Sequence, residues 1–438
     1  MRILSRILLL LLLSIPLLPK TGFSQNYCLS NRFSETAFFD SSAIRIDSNI
    51  VFSNPVHAFT NVRENLKMDI YYPDILIDSL PLRPFILLIH GGAFLAGSRH
   101  DMDYQCMEYA RRGFVAATIE YRLGWNCAAT DIFSICLLCQ QNPTDIITAT
   151  YCAAQDARAA FRYIHANASQ YHIDNNFLFV GGESAGGITA LNSTFWDQTE
   201  ANAFDPNAIS RAGLLDTAGN ALTDTYQVRA VINSCGSITK DSFLLNNGNI
   251  PVINFHDEFD CVVPPQYGQV ISCICQPFYW TAGSEVVYSK LNANGICSKY
   301  YQVPLSTNHC SFPKPQLVEK ASCFLKSYFC NTCQSGFSNQ PYQAVTCAAL
   351  NSVEEIQNPD NPFTLEAISS AHFLISRNNY SGNIPFYLLD ISGKKIFSDI
   401  LNANETEKEF SLENLSGGIY FLVSDISTHP QKIRLINP

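Results

Sequence analysis

The stretch Phe177-Leu178-Phe179-Val180-Gly181-Gly182-Glu183-Ser184-Ala185-Gly186-Gly187 decides how this chain is read. Residues 177–180 form a short apolar run suited to a buried strand, and Ala185 opens an Ala/Gly-rich helical start. Between them a serine occupies a Gly-x-Ser-x-Gly turn. A chain that passes from strand to helix this sharply needs small residues on both sides of the turn, and the turn lifts the serine Oγ into the open. Ser184 is therefore the candidate nucleophile.

A second signal lies upstream, where the apolar run 85–89 leads directly into His90-Gly91-Gly92-Ala93-Phe94. Glycine lets backbone N–H groups approach a developing oxyanion with no Cβ in the way. The expected donors are the amides of Gly91 or Gly92 and of Ala185, the residue after the nucleophile. His90 reads as a residue that orients this loop; as a general base it is the weaker candidate, since it stands beside the donors.

Working outward, the apolar runs 85–89, 114–119, 177–180, 228–232 and 252–255 alternate with longer helical patterns, of which 146–168 and 315–329 are the clearest. This alternation predicts an α/β class with a mostly parallel central sheet and helices on both faces. Residues 125–143, with three cysteines, and 196–225 read as insertions. Loops that follow the strands' C-terminal ends are expected to build the binding site.

Composition bounds the functions. Hydrophobic residues make up 47% of the 438 and charged residues 15%, which suits a folded chain with a sizeable core. The net charge of -10 offers no footprint for nucleic acid, which is not an expected partner. Arg2, Arg6, the apolar run 7–18 and Gly22-Phe23-Ser24 read as a signal peptide over residues 1–24, and no later run is long enough to span a membrane. All 16 cysteines follow that segment, so disulfides are expected in an exported protein. The pairs Cys136–Cys139 and Cys330–Cys333 have zinc-ligand spacing, but the roughly 190 residues between them and the exported context favour disulfides.

No cysteine follows Cys347. With that shift near residue 350, the expected domains are a catalytic one over 25–345, a linker over 346–360 rich in Asn, Gln, Ser and Pro, and a small C-terminal β-sandwich over 361–438. In the last of these, residues 386–389, 393–397, 408–412, 419–424 and 431–436 read as strands separated by turn residues.

His90-Gly91-Gly92-Ala93 together with Gly182-Glu183-Ser184-Ala185-Gly186-Gly187 resembles the carboxylesterase and hormone-sensitive-lipase-like branch of the α/β-hydrolase family, over roughly residues 61–329. The resemblance implies the chain order nucleophile, acid, base. His256-Asp257-Glu258-Phe259-Asp260-Cys261-Val262-Val263-Pro264 is similar to that family's His-Gly-x-x-Asp-x-x-Val-Pro signature, which maps the acid onto Asp260. Asp257 stands where the family usually has glycine, and it and Glu258 remain alternative acids. His309 occupies the family's position for the base, and of the nine histidines it is the one left with the right order. The implied chemistry is acyl transfer: His309 takes the Ser184 proton, Asp260 fixes its tautomer, and water hydrolyses the acyl-enzyme. No metal or organic cofactor is expected.

The C-terminal region has its own resemblance. Asn361-Pro362-Phe363, Leu389-Asp390-Ile391-Ser392-Gly393-Lys394, Leu415-Ser416-Gly417-Gly418-Ile419-Tyr420 and Lys432-Ile433-Arg434 resemble the type IX secretion sorting domain of Bacteroidetes. That implies the secretion machinery as a partner and a secreted or cell-surface location. The expected function is a secreted serine carboxylic ester hydrolase acting on a small-molecule or polysaccharide-linked ester. The alternatives are a serine peptidase of the same fold and a non-catalytic surface-binding protein. Because Cys261 follows the proposed acid and Cys310 the proposed base, a Cys261–Cys310 cross-link is expected, against pairing of Cys261 with Cys273 or Cys275.

Overall fold

The computed structural model describes residues 27–28, 30–124, 143–273, 278–347, 353–354, 363–367, 372–378, 380–390, 394–412, 415, 418–424 and 431–437. The expected signal peptide, the Cys136–Cys139 pair, nearly all of the 125–143 insertion and most of the 346–360 linker lie outside these residues. Two compact units divide the chain, one of Asn31–Ala349 and one that holds Leu350–Pro438.

In the first unit the strands are β1 (Ile44–Ser53), β2 (Leu66–Pro73), β3 (Arg83–Ile89), β4 (Val115–Ile119), β5 (Ile173–Glu183), β6 (Val228–Ser234), β7 (Ser237–Ile238), β8 (Val252–Asp257), β9 (Tyr267–Gln269), β10 (Trp280–Gly283), β11 (Ser298–Val303) and β12 (Gly336–Ser338). Nine of them form one sheet in the order β1-β2-β4-β3-β5-β6-β8-β11-β12. Every neighbouring pair from β4 to β12 is parallel, while β1 and β2 join antiparallel at one edge. Strands β3, β4 and β8 are buried at every position, as expected of central parallel strands covered on both faces.

The two edge strands escape the sequence reading. β1 mixes Ile44, Ile46 and Ile50 with Arg45, Asp47, Ser48 and Asn49, and half of its residues are exposed. An edge strand has one neighbour and no obligation to be continuously apolar, so its pattern is weak.

The helices are α1 (Asp103–Arg111), α2 (Pro143–Ala166), α3 (Ala185–Phe195), α4 (Gln198–Phe204), α5 (Ala208–Ala212), α6 (Ser284–Ala293) and α7 (Lys314–Phe329). Helix α2 presents Ala149, Ala153, Ala157, Ala160 and Ile164 to the core, a stripe at three- and four-residue spacing whose small side chains permit close packing on α3. Residues 196–225, expected as an insertion, include α4 and α5, whose Ala201 and Ala208 pack with Trp196 and Tyr151 in a small satellite core. Among the described residues no helix is long and apolar enough to cross a membrane.

The second unit is all β: β13 (Val353–Glu354), β14 (Phe363–Ala367), β15 (His372–Arg377), β16 (Ile384–Asp390), β17 (Lys395–Leu401), β18 (Glu407–Ser411), β19 (Gly418–Ser424) and β20 (Gln431–Asn437). They form a five-stranded sheet, β13-β20-β19-β16-β17, and a three-stranded one, β14-β15-β18. Alternate residues such as Phe373 and Ile375 on β15, and Ile384, Phe386 and Leu388 on β16, are buried in its core.

Candidate active site

Five adjacent parallel strands, β3, β5, β6, β8 and β11, point the same way, and each hands the chain to a residue of the site at its C-terminal end. Their ends are level: Ile89 pairs with Gly182 and Gly182 with Asn233, Ser234 pairs with Phe255, and Asp257 with Val303. His90, Ser184, Cys235, Asp260 and His309 therefore converge although 219 positions separate the first from the last (309 − 90).

Ser184 sits between β5 and α3 with φ 56° and ψ -118°, a conformation that costs a non-glycine residue roughly 1–3 kcal/mol. The surroundings enforce it. Ser184 N donates to Ser234 O at 2.9 Å, and Ser184 O accepts from Ile188 N at 2.9 Å. A Cβ on Gly182 would collide with Gly186 O, and one on Gly186 with the carbonyls of Ile89 and His90, so the small residues of the motif are steric necessities.

Ser184 Oγ lies 2.7 Å from His309 Nε2, and His309 Nδ1 lies 2.6 Å from Asp260 Oδ2. The carboxylate is held at its other oxygen too, where Oδ1 accepts from Val262 N at 2.8 Å and Val263 N at 3.1 Å. Burial pushes the Asp260 carboxyl up, but hydrogen bonds from His256 and His309 outweigh it and hold its pKa at about 2. Of the alternative acids, Asp257 accepts from Ser311 N at 2.8 Å and from the Ser311 hydroxyl, and Glu258 accepts from Leu305 N at 2.6 Å. Both carboxylates fasten the base loop to the end of β8, and the acceptor of the His309 Nδ1–H is Asp260.

The glycine loop after β3 stands against the serine: a Cβ on Gly91 would come within 3.2 Å of Ser184 Cβ. Gly91 O accepts from His90 Nδ1 at 2.7 Å, and the Tyr121 hydroxyl reaches His90 O at 3.1 Å and Gly91 O at 3.3 Å. In a trans peptide the N–H points opposite to the C=O, so tying back these carbonyls turns the amides of Gly91 and Gly92 the other way. His90 also stacks on Tyr121 with ring centroids 4.4 Å apart, and burial lowers its pKa. A buried neutral ring bonded to its own loop suits the orienting role.

The expected Cys261–Cys310 cross-link is not what forms. Cys310 is joined to Cys235 and Cys261 to Cys273. His309 bridges Ser184 after β5 and Asp260 after β8, and β6 lies between these two strands, so Cys310 comes to rest beside Cys235 at the end of β6. Cys333 pairs with Cys297 and Cys330 is also disulfide-bonded, so the second C-x-x-C pair is not a metal site.

The BD-FAE family, an α/β-hydrolase esterase domain, matches residues 68–133 and 146–244, which include the glycine loop and the serine turn. The larger unit has the α/β-hydrolase fold. Over 172 residues the chain is 28% identical to Carboxylesterase 3B of Mus musculus, covering 39% of this chain and 27% of that protein. Over 142 residues it is 28% identical to Juvenile hormone esterase of Tribolium castaneum, covering 32% and 21%. The chain thus spans about a quarter of the length of these curated relatives. Among solved structures, propionate-bound Est2 of Thermogutta terrifontis superposes with a TM-score of 0.42 at 18% identity, covering 67% of this chain and 95% of that one. A truncated carbohydrate esterase from gut microbiota gives 0.42 at 15%, covering 68% and 99%. Residues 369–436 match the Secretion system C-terminal sorting domain.

Beside Ser184 lies an apolar cavity of about 20 Å³, whose described lining includes Ala93, Phe94, Ile188, Val262, Val263 and Tyr279. Three residues of the site went unnoticed in the sequence. Tyr121 and Cys235 carry no local motif, whereas His256 stands in the same signature as Asp260, four residues before it.

Proposed function

We propose that this chain is a secreted serine carboxylic ester hydrolase that works through an acyl-enzyme. The observation that carries the reading is the continuous hydrogen-bonded row Ser184 Oγ, His309 Nε2, His309 Nδ1, Asp260 Oδ2, at 2.7 Å and 2.6 Å. Neutral His309 accepts the serine proton as Ser184 attacks the ester carbonyl, then returns it to the leaving alcohol. Asp260, ionised and fixed at both oxygens, keeps the Nδ1–H tautomer and stabilises the imidazolium. The amides of Gly91, Gly92 and Ala185 receive the oxyanion. Water then repeats the sequence on the acyl-enzyme.

The small apolar cavity beside Ser184 supports a short acyl group on the ester. The test is a stopped-flow burst of p-nitrophenol from p-nitrophenyl acetate. A burst stoichiometric with enzyme that vanishes in Ser184→Ala is the expected result. A burst that survives the substitution overturns the reading.

Export through the sorting domain is part of the same proposal, supported by the match over residues 369–436 and by the signal-like N-terminus. Removing residues from 361 onward leaves esterase activity intact and retains the enzyme in the periplasm. Culture fractionation reads this directly, and normal surface delivery of the truncated protein refutes the sorting role.

A further inference from the structure

Asp260 carries a second histidine. His256 Nε2 lies 3.2 Å from Asp260 Oδ2, the oxygen that faces His309, and 2.7 Å from Val263 O. A carbonyl oxygen only accepts, so His256 Nε2 bears a proton, which it donates to Val263 O and shares, at the longer distance, with Asp260 Oδ2. The other ring nitrogen, Nδ1, lies 2.7 Å from Ser284 Oγ at the start of α6.

The row continues beneath the strand ends. Ser284 Oγ accepts from Asn233 Nδ2 at 3.1 Å, and the same nitrogen donates to Asn254 Oδ1 at 3.0 Å. Asn254 Nδ2 in turn donates to Lys299 O at 3.1 Å. Lys299 O and Val263 O are both pure acceptors, so the direction of donation is fixed at each end. Ser284 therefore has its own proton free for His256 Nδ1, which leaves that ring neutral in the Nε2–H form. His256, Ser284, Asn233 and Asn254 are all buried, so water does not compete for these bonds.

We propose that His256, set in this tautomer by Ser284, is a positioning residue for catalysis, fixing the Asp260 carboxylate and through it the ring of His309. The inference rests on the Ser184–His309–Asp260 reading. Asp260 belongs to a loop, whereas His256 belongs to β8 in the middle of the sheet, so the bond transfers the rigidity of the sheet to the acid. With His256 present, Oδ1 is held by two amides, and Oδ2 accepts from His309 Nδ1 and lies 3.2 Å from the His256 Nε2–H that also serves Val263 O, so the carboxylate is confined on both sides. The bond also disperses the anion's charge. Without it Asp260 is a stronger acceptor, the His309 imidazolium is more stable, and the base takes up its proton at higher pH. The other carboxylates on the packed elements are engaged elsewhere: Asp257 with Ser311, Glu258 with Leu305 N, and Glu285 with Gln266 Nε2.

The experiment compares His256→Leu, His256→Gln and Ser284→Ala in the full chain, with kcat, KM and the pH profile of kcat/KM on a p-nitrophenyl ester. His256→Leu should lower kcat about 10- to 100-fold with little change in KM, and move the acid limb to higher pH. Gln places an amide donor near the imidazole Nε2 position and should restore most of kcat and the original limb. Ser284→Ala, which frees the tautomer, should fall between them, and with Gln it keeps the test open if the Leu variant does not fold. Wild-type kcat and limb in folded His256→Leu overturn the inference, as does equal impairment of Leu and Gln without a limb shift. Ser184→Ala in the same assay separates the two levels: activity there refutes the triad itself, whereas its loss beside an unaffected His256→Leu refutes only the positioning role.

Discussion

Two loops bracket Ser184, and they are held by different means. The glycine loop, residues 90–97, takes its shape from backbone conformations that side chains resist: Gly92 has φ 110° and Gly97 φ 96°, and Ala93 and Phe94 are also left-handed. Its fixings are mostly backbone and internal, joined from outside by the Tyr121 hydroxyl and by Gly124 N, which donates to Phe94 O at 2.8 Å. The base loop, residues 305–312, is strapped from outside by the Cys235–Cys310 disulfide, by Asp257 on Ser311, by Glu258 on Leu305 N and by Phe259 N on Ser306 O at 2.8 Å. The difference follows from what each loop supplies. Backbone amides are aimed once the backbone path is set, whereas an imidazole on a flexible stem must be aimed by its neighbours.

The sharpest way to break the first loop is Gly92→Ala. The added Cβ meets Ala96 O at a φ that disfavours side chains, so the oxyanion donors shift. We expect kcat to fall about 10²- to 10³-fold with KM changed far less, measured by steady-state hydrolysis. A fall of less than threefold would mean that the loop's path is irrelevant to the chemistry.

The second loop breaks at its strap. Cys235→Ser with Cys310→Ser should cost about 2–4 kcal/mol of stability and about tenfold in kcat, whereas Cys261→Ser with Cys273→Ser should cost stability in the same range and leave kcat nearly unchanged. Chemical denaturation and kinetics on both double variants check this. Equal kinetic losses would erase the distinction between strapping the base and strapping the loop beyond the acid.

The smallest effect concerns acid stability. Asp260 has a folded pKa of about 2, below its ordinary 3.8, so its contribution of about 2 kcal/mol is complete at neutral pH and is lost as the pH falls from about 4 through about 2. Asp260→Asn should flatten that part of the stability curve, measured by denaturant titration at each pH. An unchanged slope would show that the hydrogen bonds on Asp260 do not depend on its charge.

The sequence alone made the serine turn and the glycine loop legible, because these are short-range matters, whereas Asp260 and His309 were pointed to by the family resemblance, with Asp257 and Glu258 still open as acids. Turn sterics act over a few residues, and buried parallel strands announce themselves as unbroken apolar runs such as 85–89 and 252–255. β1 stayed hidden because an edge strand is free to be polar, and β14 and β15 because their alternation is only five and six residues long. Only the tertiary structure decided which acid faces the base, that Cys310 pairs with Cys235 across 75 residues of sequence, and that His256 leans on Asp260. Those outcomes depend on β6 lying between β5 and β8 and on where each strand ends, and spacing along a chain encodes neither.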